Sequence, residues 1–140
     1  MKIAIVGSSF FCKEMVEYRD ELKALGHECE IHEHYVAHAE GRMPELWEDM
    51  RKEHAKVKIK YDYIKYHYNE IINSDAVLVL NFDKNGIKNY VGGNTLIEMG
   101  QAYVNNKKIF LLNSIPQMQY KEEIEALEPT IIDNDLSKIN

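Results

Sequence analysis

Cysteine, proline and long apolar runs are all scarce in this chain, and each shortage excludes something. The two cysteines, Cys12 and Cys29, are too few for a disulfide framework and stand outside any CxxC spacing. With 3 prolines and 7 glycines there is little material for disordered linkers, and no segment is repeated or of low complexity. The longest apolar runs, such as Ala76 to Leu80 and Ile109 to Leu112, fall far short of the roughly 18 residues that cross a membrane. The run from Ile3 to Val6 is also too short for a secretion signal, so a cytoplasmic location is expected. Basic residues are in deficit as well. Lys and Arg number 17 against 23 Asp and Glu, a net charge of −6, which disfavours a dedicated nucleic-acid binder and leaves a small molecule as the expected partner.

What is present is enough for one domain over residues 1–140, with 45% hydrophobic residues. Lys2 to Val6 reads as a strand ending at Gly7, followed by a helical stripe of Phe11, Met15, Tyr18, Leu22 and Leu25 that Gly26 stops. Glu28 to His34 is a short second strand with weak alternation. From Pro44 the stripe Leu46, Trp47, Met50, Val57, Tyr61, Ile64, Tyr68 and Ile71 predicts helix. As one helix of about 30 residues it would be roughly 45 Å long, so it either breaks around Ala55 to Lys60 or projects towards another subunit. Ala76 to Leu80 and Lys108 to Leu112 have the continuous apolar character of covered parallel strands, with a helix from Asn94 to Asn105 between them. A helix from Tyr120 to Leu127 and a strand from Pro129 to Ile132 complete the chain. The pattern predicts a doubly wound, mainly parallel five-stranded α/β sheet with helices on both faces, flavodoxin-like or Rossmann-like.

In such sheets ligands bind beyond the carboxyl ends of the strands, which brings Gly7-Ser8-Ser9-Phe10, Asn81-Phe82-Asp83 and Asn113-Ser114 to one crevice. Asp75, at the opposite end of its strand and roughly 16 Å away, is excluded. Gly7-Ser8-Ser9 opens a helix whose free N–H groups suit an anion, or it is a plain turn with a serine cap; neither GxGxxG nor a Walker pattern is complete. Cys12 reads as a buried thiol, since no arginine stands where a phosphatase loop needs one. His32, His34 and His38 complete no zinc set, and no metal is expected. The loop from Asn81 to Gly93 is long and carries Lys84 and Lys88, which suit an anionic ligand as well as they suit solvent.

Glu98 admits two readings. Thr95-Leu96-Ile97-Glu98 matches a capping box, in which the glutamate accepts a backbone N–H. Alternatively it is a carboxylate in the first turn of the helix, ionised by the helix dipole and open to the crevice. Gly100, unfavourable inside a helix by about 1 kcal/mol against alanine, suggests that something approaches this helix closely.

Ser74 to Leu112, "SDAVLVLNFDKNGIKNYVGGNTLIEMGQAYVNNKKIFLL", resembles the nucleoside 2-deoxyribosyltransferase superfamily, which includes nucleoside-monophosphate N-glycosidases. An apolar strand, a variable loop, a Gly-rich turn and Glu98-Met99-Gly100-Gln101-Ala102 carry the likeness; "IAIVGSSF" matches loosely and the middle of the chain little. The resemblance implies a homo-oligomer, no cofactor, and cleavage of the N-glycosidic bond of a nucleoside or nucleotide by hydrolysis or deoxyribosyl transfer. Glu98 would be the nucleophile and Asp83 would assist at the base. Gly7, Ser8, Ser9, Phe10, Asn81, Gly92, Gly93 and Asn94 would line the substrate site. His67 stands where the family often has a carboxylate, a departure that favours an alternative, a nucleotide-binding or regulatory module without turnover.

Overall fold

A computed structural model describes residues 1–140. Its sheet has four parallel strands, β1 (Ile3–Gly7), β2 (Ala76–Leu80), β3 (Lys108–Leu111) and β4 (Thr130–Ile131), paired in that order. Ile3 is level with Ala76, and Ala76 with Lys108. Ala76 to Leu80 are all at most 1% exposed, because the central strand is covered on both faces.

Seven α-helices cover the sheet: α1 (Cys12–Ala24), α2 (Glu33–Ala39), α3 (Pro44–Lys52), α4 (His54–Lys60), α5 (Tyr63–Ile72), α6 (Gly93–Val104) and α7 (Lys121–Ala126). Alternate strand residues feed two cores, as the two-residue strand period requires. Ile3, Ile5, Leu78 and Phe110 pack with Met15, Leu22, Trp47 and Tyr63 on one face. Ala4, Val6, Val77 and Leu111 pack with Ile71, Met99, Ala102 and Ile124 on the other. Each fully buried aliphatic side chain contributes roughly 1.5–3 kcal/mol of transfer free energy. No helix is long and apolar enough to cross a membrane.

The sheet has four strands, not the expected five. The second strand shrinks to one parallel bridge between Lys2 and Glu28. Beyond it the side chain of His32 accepts a hydrogen bond from the His34 N–H at 2.9 Å and starts α2 where an extended chain was expected. The long middle helix is interrupted at Glu53 (φ −133°) and at Asp62 (φ 53°), on either side of the expected break rather than within it. The three resulting helices do not project, since Leu46, Met50, Val57 and Tyr63 all enter the core. Gly26, at φ 90°, ends α1 as expected, with its N–H donating to the Lys23 carbonyl at 3.0 Å. Asp75 lies at the amino edge of the sheet, where its Oδ2 accepts the Lys2 N–H at 2.7 Å.

Candidate functional site

The carboxyl end of β1 and the loop after β2 border a cavity of about 310 Å³. Gly7, Ser8, Ser9 and Phe10 form one wall. Gly7 is required there: a Cβ on it would sit 3.0 Å from the Leu80 carbonyl oxygen, so only glycine lets the turn leave β1 so close to β2. Ser8 caps the short 3-10 turn Ser9–Phe11 by accepting the Phe10 N–H at 3.2 Å. Gly92, Gly93 and Asn94 form the opposite wall at the start of α6. Gly92 offers no side chain as a cap, so the first N–H groups of α6 have no side-chain partner, and the residues that carry them, Gly93, Asn94 and Thr95, line the cavity at the positive end of the helix dipole.

Asn81 and Asp83, expected in the crevice, are engaged elsewhere. Asn81 is fully buried and clamps two strand ends: its Oδ1 accepts the Asn113 N–H at 2.8 Å, and its Nδ2 donates to the Asn113 and Ser114 carbonyls at 3.1 Å. Asn113 and Ser114 are thereby held as structure rather than presented to the cavity. Asp83 is exposed and accepts the Asn89 N–H at 2.9 Å, folding the loop after β2 on itself. That loop is held further by the Tyr90 N–H on the Phe82 carbonyl at 2.9 Å and by the Tyr120 hydroxyl on the Val91 carbonyl at 2.6 Å.

Glu98 is neither a cap nor an open carboxylate. The helix begins at Gly93, which puts Thr95 inside it at 2% exposure and Glu98 in its second turn rather than its first. Glu98 is 5% exposed and accepts a hydrogen bond from Asn94 Nδ2 at 2.6 Å, one turn below the cavity wall. Burial pushes its pKa up to about 8, with Lys58 pulling the other way. The expectation that the dipole keeps it ionised is corrected: at neutral pH the side chain is mostly the neutral acid.

Five residues that the sequence did not single out also line the cavity: Tyr35 from α2, Met50 from α3, His54 and Lys58 from α4, and Tyr90 from the loop after β2. His54 and Lys58 are four apart, which puts them on one helical face, but Lys52, Lys56 and Lys60 make that spacing uninformative. Lys84, from the loop after β2, reaches across to donate to Ser8 Oγ at 2.8 Å and lies 4.0 Å from the centre of the Phe10 ring. None of the ion pairs in the chain includes Lys58 or Lys84. Burial, and then Lys58, lowers the Lys84 pKa; burial, then Lys58 and Lys84, lowers that of His54. The cavity is thus a cationic spot in an acidic protein.

Behind it, Tyr35 is 8% exposed, and its hydroxyl lies 3.1 Å from His67 Nε2. The two rings stack at 5.5 Å, and burial holds His67 neutral, with a pKa down to about 4. A second, more apolar hollow of about 370 Å³ adjoins the first through Ser9, Phe10, Met50 and His54. His38, Trp47 and Arg51 enclose its far side. Cys12 is fully buried, its Sγ donates to the Ser9 carbonyl at 2.8 Å, and burial raises its pKa to about 12, so it supports the turn as an inert thiol. No family model, curated protein or solved structure matches this chain.

Proposed function

We propose that the chain cleaves the N-glycosidic bond of a nucleoside or nucleotide, with Glu98 as nucleophile. The observation that carries this reading is the Asn94–Glu98 pair, a desolvated carboxyl group bonded at 2.6 Å to a residue of the cavity wall, beneath a cationic cavity that opens into an apolar hollow. A nucleotide has the same polarity: an anionic end, a sugar and a flat apolar base. The resemblance of Ser74 to Leu112 to the nucleoside 2-deoxyribosyltransferase superfamily points the same way. So does the strand order, which becomes the flavodoxin-like 2-1-3-4-5 once the bridge at Glu28 counts as a residual second strand at the free edge of β1.

In this mechanism an ionised Glu98 oxygen bonds to C1′ of the sugar while the bond from C1′ to the base nitrogen breaks, and its electron pair leaves with the base. The departing nitrogen needs a proton. Asp83 is out of position, and His54, on the seam between the two hollows, has its pKa lowered by burial and is deprotonated where Glu98 ionises, so the proton comes from water. Water then attacks C1′ of the glycosyl ester and frees Glu98; a second base attacking instead gives transfer. The Lys58 ammonium favours the ionised form that attack requires.

A specific observation favours the second reading, a binding module without turnover: Glu98 is buried and mostly protonated. One experiment separates them. Purified protein is incubated with nucleosides and their 5′-monophosphates, and free base is measured by chromatography. Base release that Glu98→Gln lowers at least about 100-fold supports the enzyme; tight binding with no base released supports the module.

A further inference from the structure

Lys58 and Lys84 come from separate parts of the fold, α4 and the loop after β2, yet both face one cavity of about 310 Å³. Each is half-buried and has no carboxylate partner. Like charges brought to one part-buried cavity repel, and an anion between them relieves the repulsion. The third element on this cavity is the uncapped start of α6, a helix of 12 residues, which supplies free N–H groups and a positive dipole end. Ser8 and Ser9 add hydroxyls; Ser8 Oγ already holds Lys84 Nζ at 2.8 Å. No carboxyl group lines this cavity, and Glu98, the one that acts on Lys58 from below it, is kept largely neutral by burial.

We infer that this cavity is a phosphate site, and that the substrate carries a phosphate monoester bound by Lys58, Lys84 and the N-terminus of α6. Lys58 and Lys84 would then decide specificity, because a monoester dianion matches two ammonium groups whereas an unphosphorylated nucleoside leaves them unneutralised. The inference rests on the proposed reaction only for the rest of the substrate; recognition of phosphate does not require that the glycosidic bond be cut.

The test is a calorimetric and NMR titration of the full chain with inorganic phosphate, ribose 5-phosphate, 2′-deoxynucleosides and their 5′-monophosphates. Wild type is expected to bind all the phosphorylated probes, with amide shifts at Gly93 and Asn94, and to bind monophosphates at least about 10-fold tighter than the nucleosides. Lys58→Gln combined with Lys84→Gln should abolish that preference, Lys58→Arg should retain it, and Lys88→Gln, on the exposed part of the same loop, should leave it unchanged. Circular dichroism of each variant confirms that it is folded. Equal binding of nucleosides and monophosphates, or a preference that survives the double substitution, overturns the inference. The two proposals fail separately: phosphate binding without base release leaves the phosphate site and removes the nucleophile, and base release from nucleosides without phosphate binding does the reverse. Ribose 5-phosphate binding as tightly as the monophosphates confirms the phosphate site and shows that the base adds nothing to affinity.

Discussion

Glu98 illustrates how burial can outweigh local pattern at a single residue. The capping box needed Thr95 as the N-cap; with the cap three residues earlier, at Gly92, Thr95 is interior and Glu98 turns towards Asn94. A carboxyl whose folded pKa is raised from 4.5 to about 8 weakens the fold as pH climbs through that interval, because the unfolded chain releases the proton and the folded one retains it. Glu98→Gln should therefore stabilise the protein, with little gain at pH 4 and on the order of 1–3 kcal/mol by pH 8, read from urea unfolding at several pH values. A flat difference across pH would deny that the carboxyl is desolvated. The same group sets the pH profile of turnover: kcat/KM should rise through a midpoint near pH 8 as Glu98 ionises and level off above it, whereas a falling limb there would assign it the role of acid.

At the scale of elements, α6 and the α2–α5 contact make separate predictions. The close approach inferred from Gly100 is not made within the chain, since a Cβ there would meet nothing within 4 Å. Gly100→Ala should raise stability by about 1 kcal/mol through helix propensity alone. A loss instead, in a sample whose sedimentation shows a dimer, would place a second copy against exposed Ile97 and Val104 on the same helix. The second contact is built of rings: His34 Nδ1 lies 2.7 Å from the Tyr63 hydroxyl, and His67 Nε2 lies 3.1 Å from that of Tyr35. Burial depresses the pKa of both His32 and His67 to about 4, so they favour the fold above pH 6.5 and cease to do so as pH falls from 6.5 towards 4. The unfolding midpoint in urea should drop over that window, and His67→Gln should make the drop shallower by about 1 kcal/mol.

At the scale of the whole molecule, what could be read from sequence was what regular alternation and glycine mark. The apolar runs of β2 and β3 and the turn after β1 are where the pattern placed them, the glycine pair opens α6 one residue earlier than expected, and with them Gly7, Ser8, Ser9, Phe10, Gly92, Gly93 and Asn94 reach the cavity. The middle of the chain was less legible for a physical reason. Its breaks at Glu53 and Asp62 use neither glycine nor proline, and α2 starts from a histidine cap, a residue outside the preferred cap set. Tyr35, Met50, His54 and Lys58 all come from that stretch, so four of the 14 lining residues were hidden with it. Asn81 and Asp83 lie at the right strand end, but position on a strand does not reveal that a side chain will be used to tie loops together.

Covalent attack by Glu98 is tested most directly by acid-quenching the protein during incubation with a 2′-deoxynucleoside 5′-monophosphate and locating any sugar ester by peptide mass spectrometry. The mechanism predicts a deoxyribosyl phosphate adduct on the peptide containing Glu98, formed as base is released and absent from Glu98→Gln. Base release that continues undiminished in Glu98→Gln, with no adduct on that peptide in wild type, would contradict it.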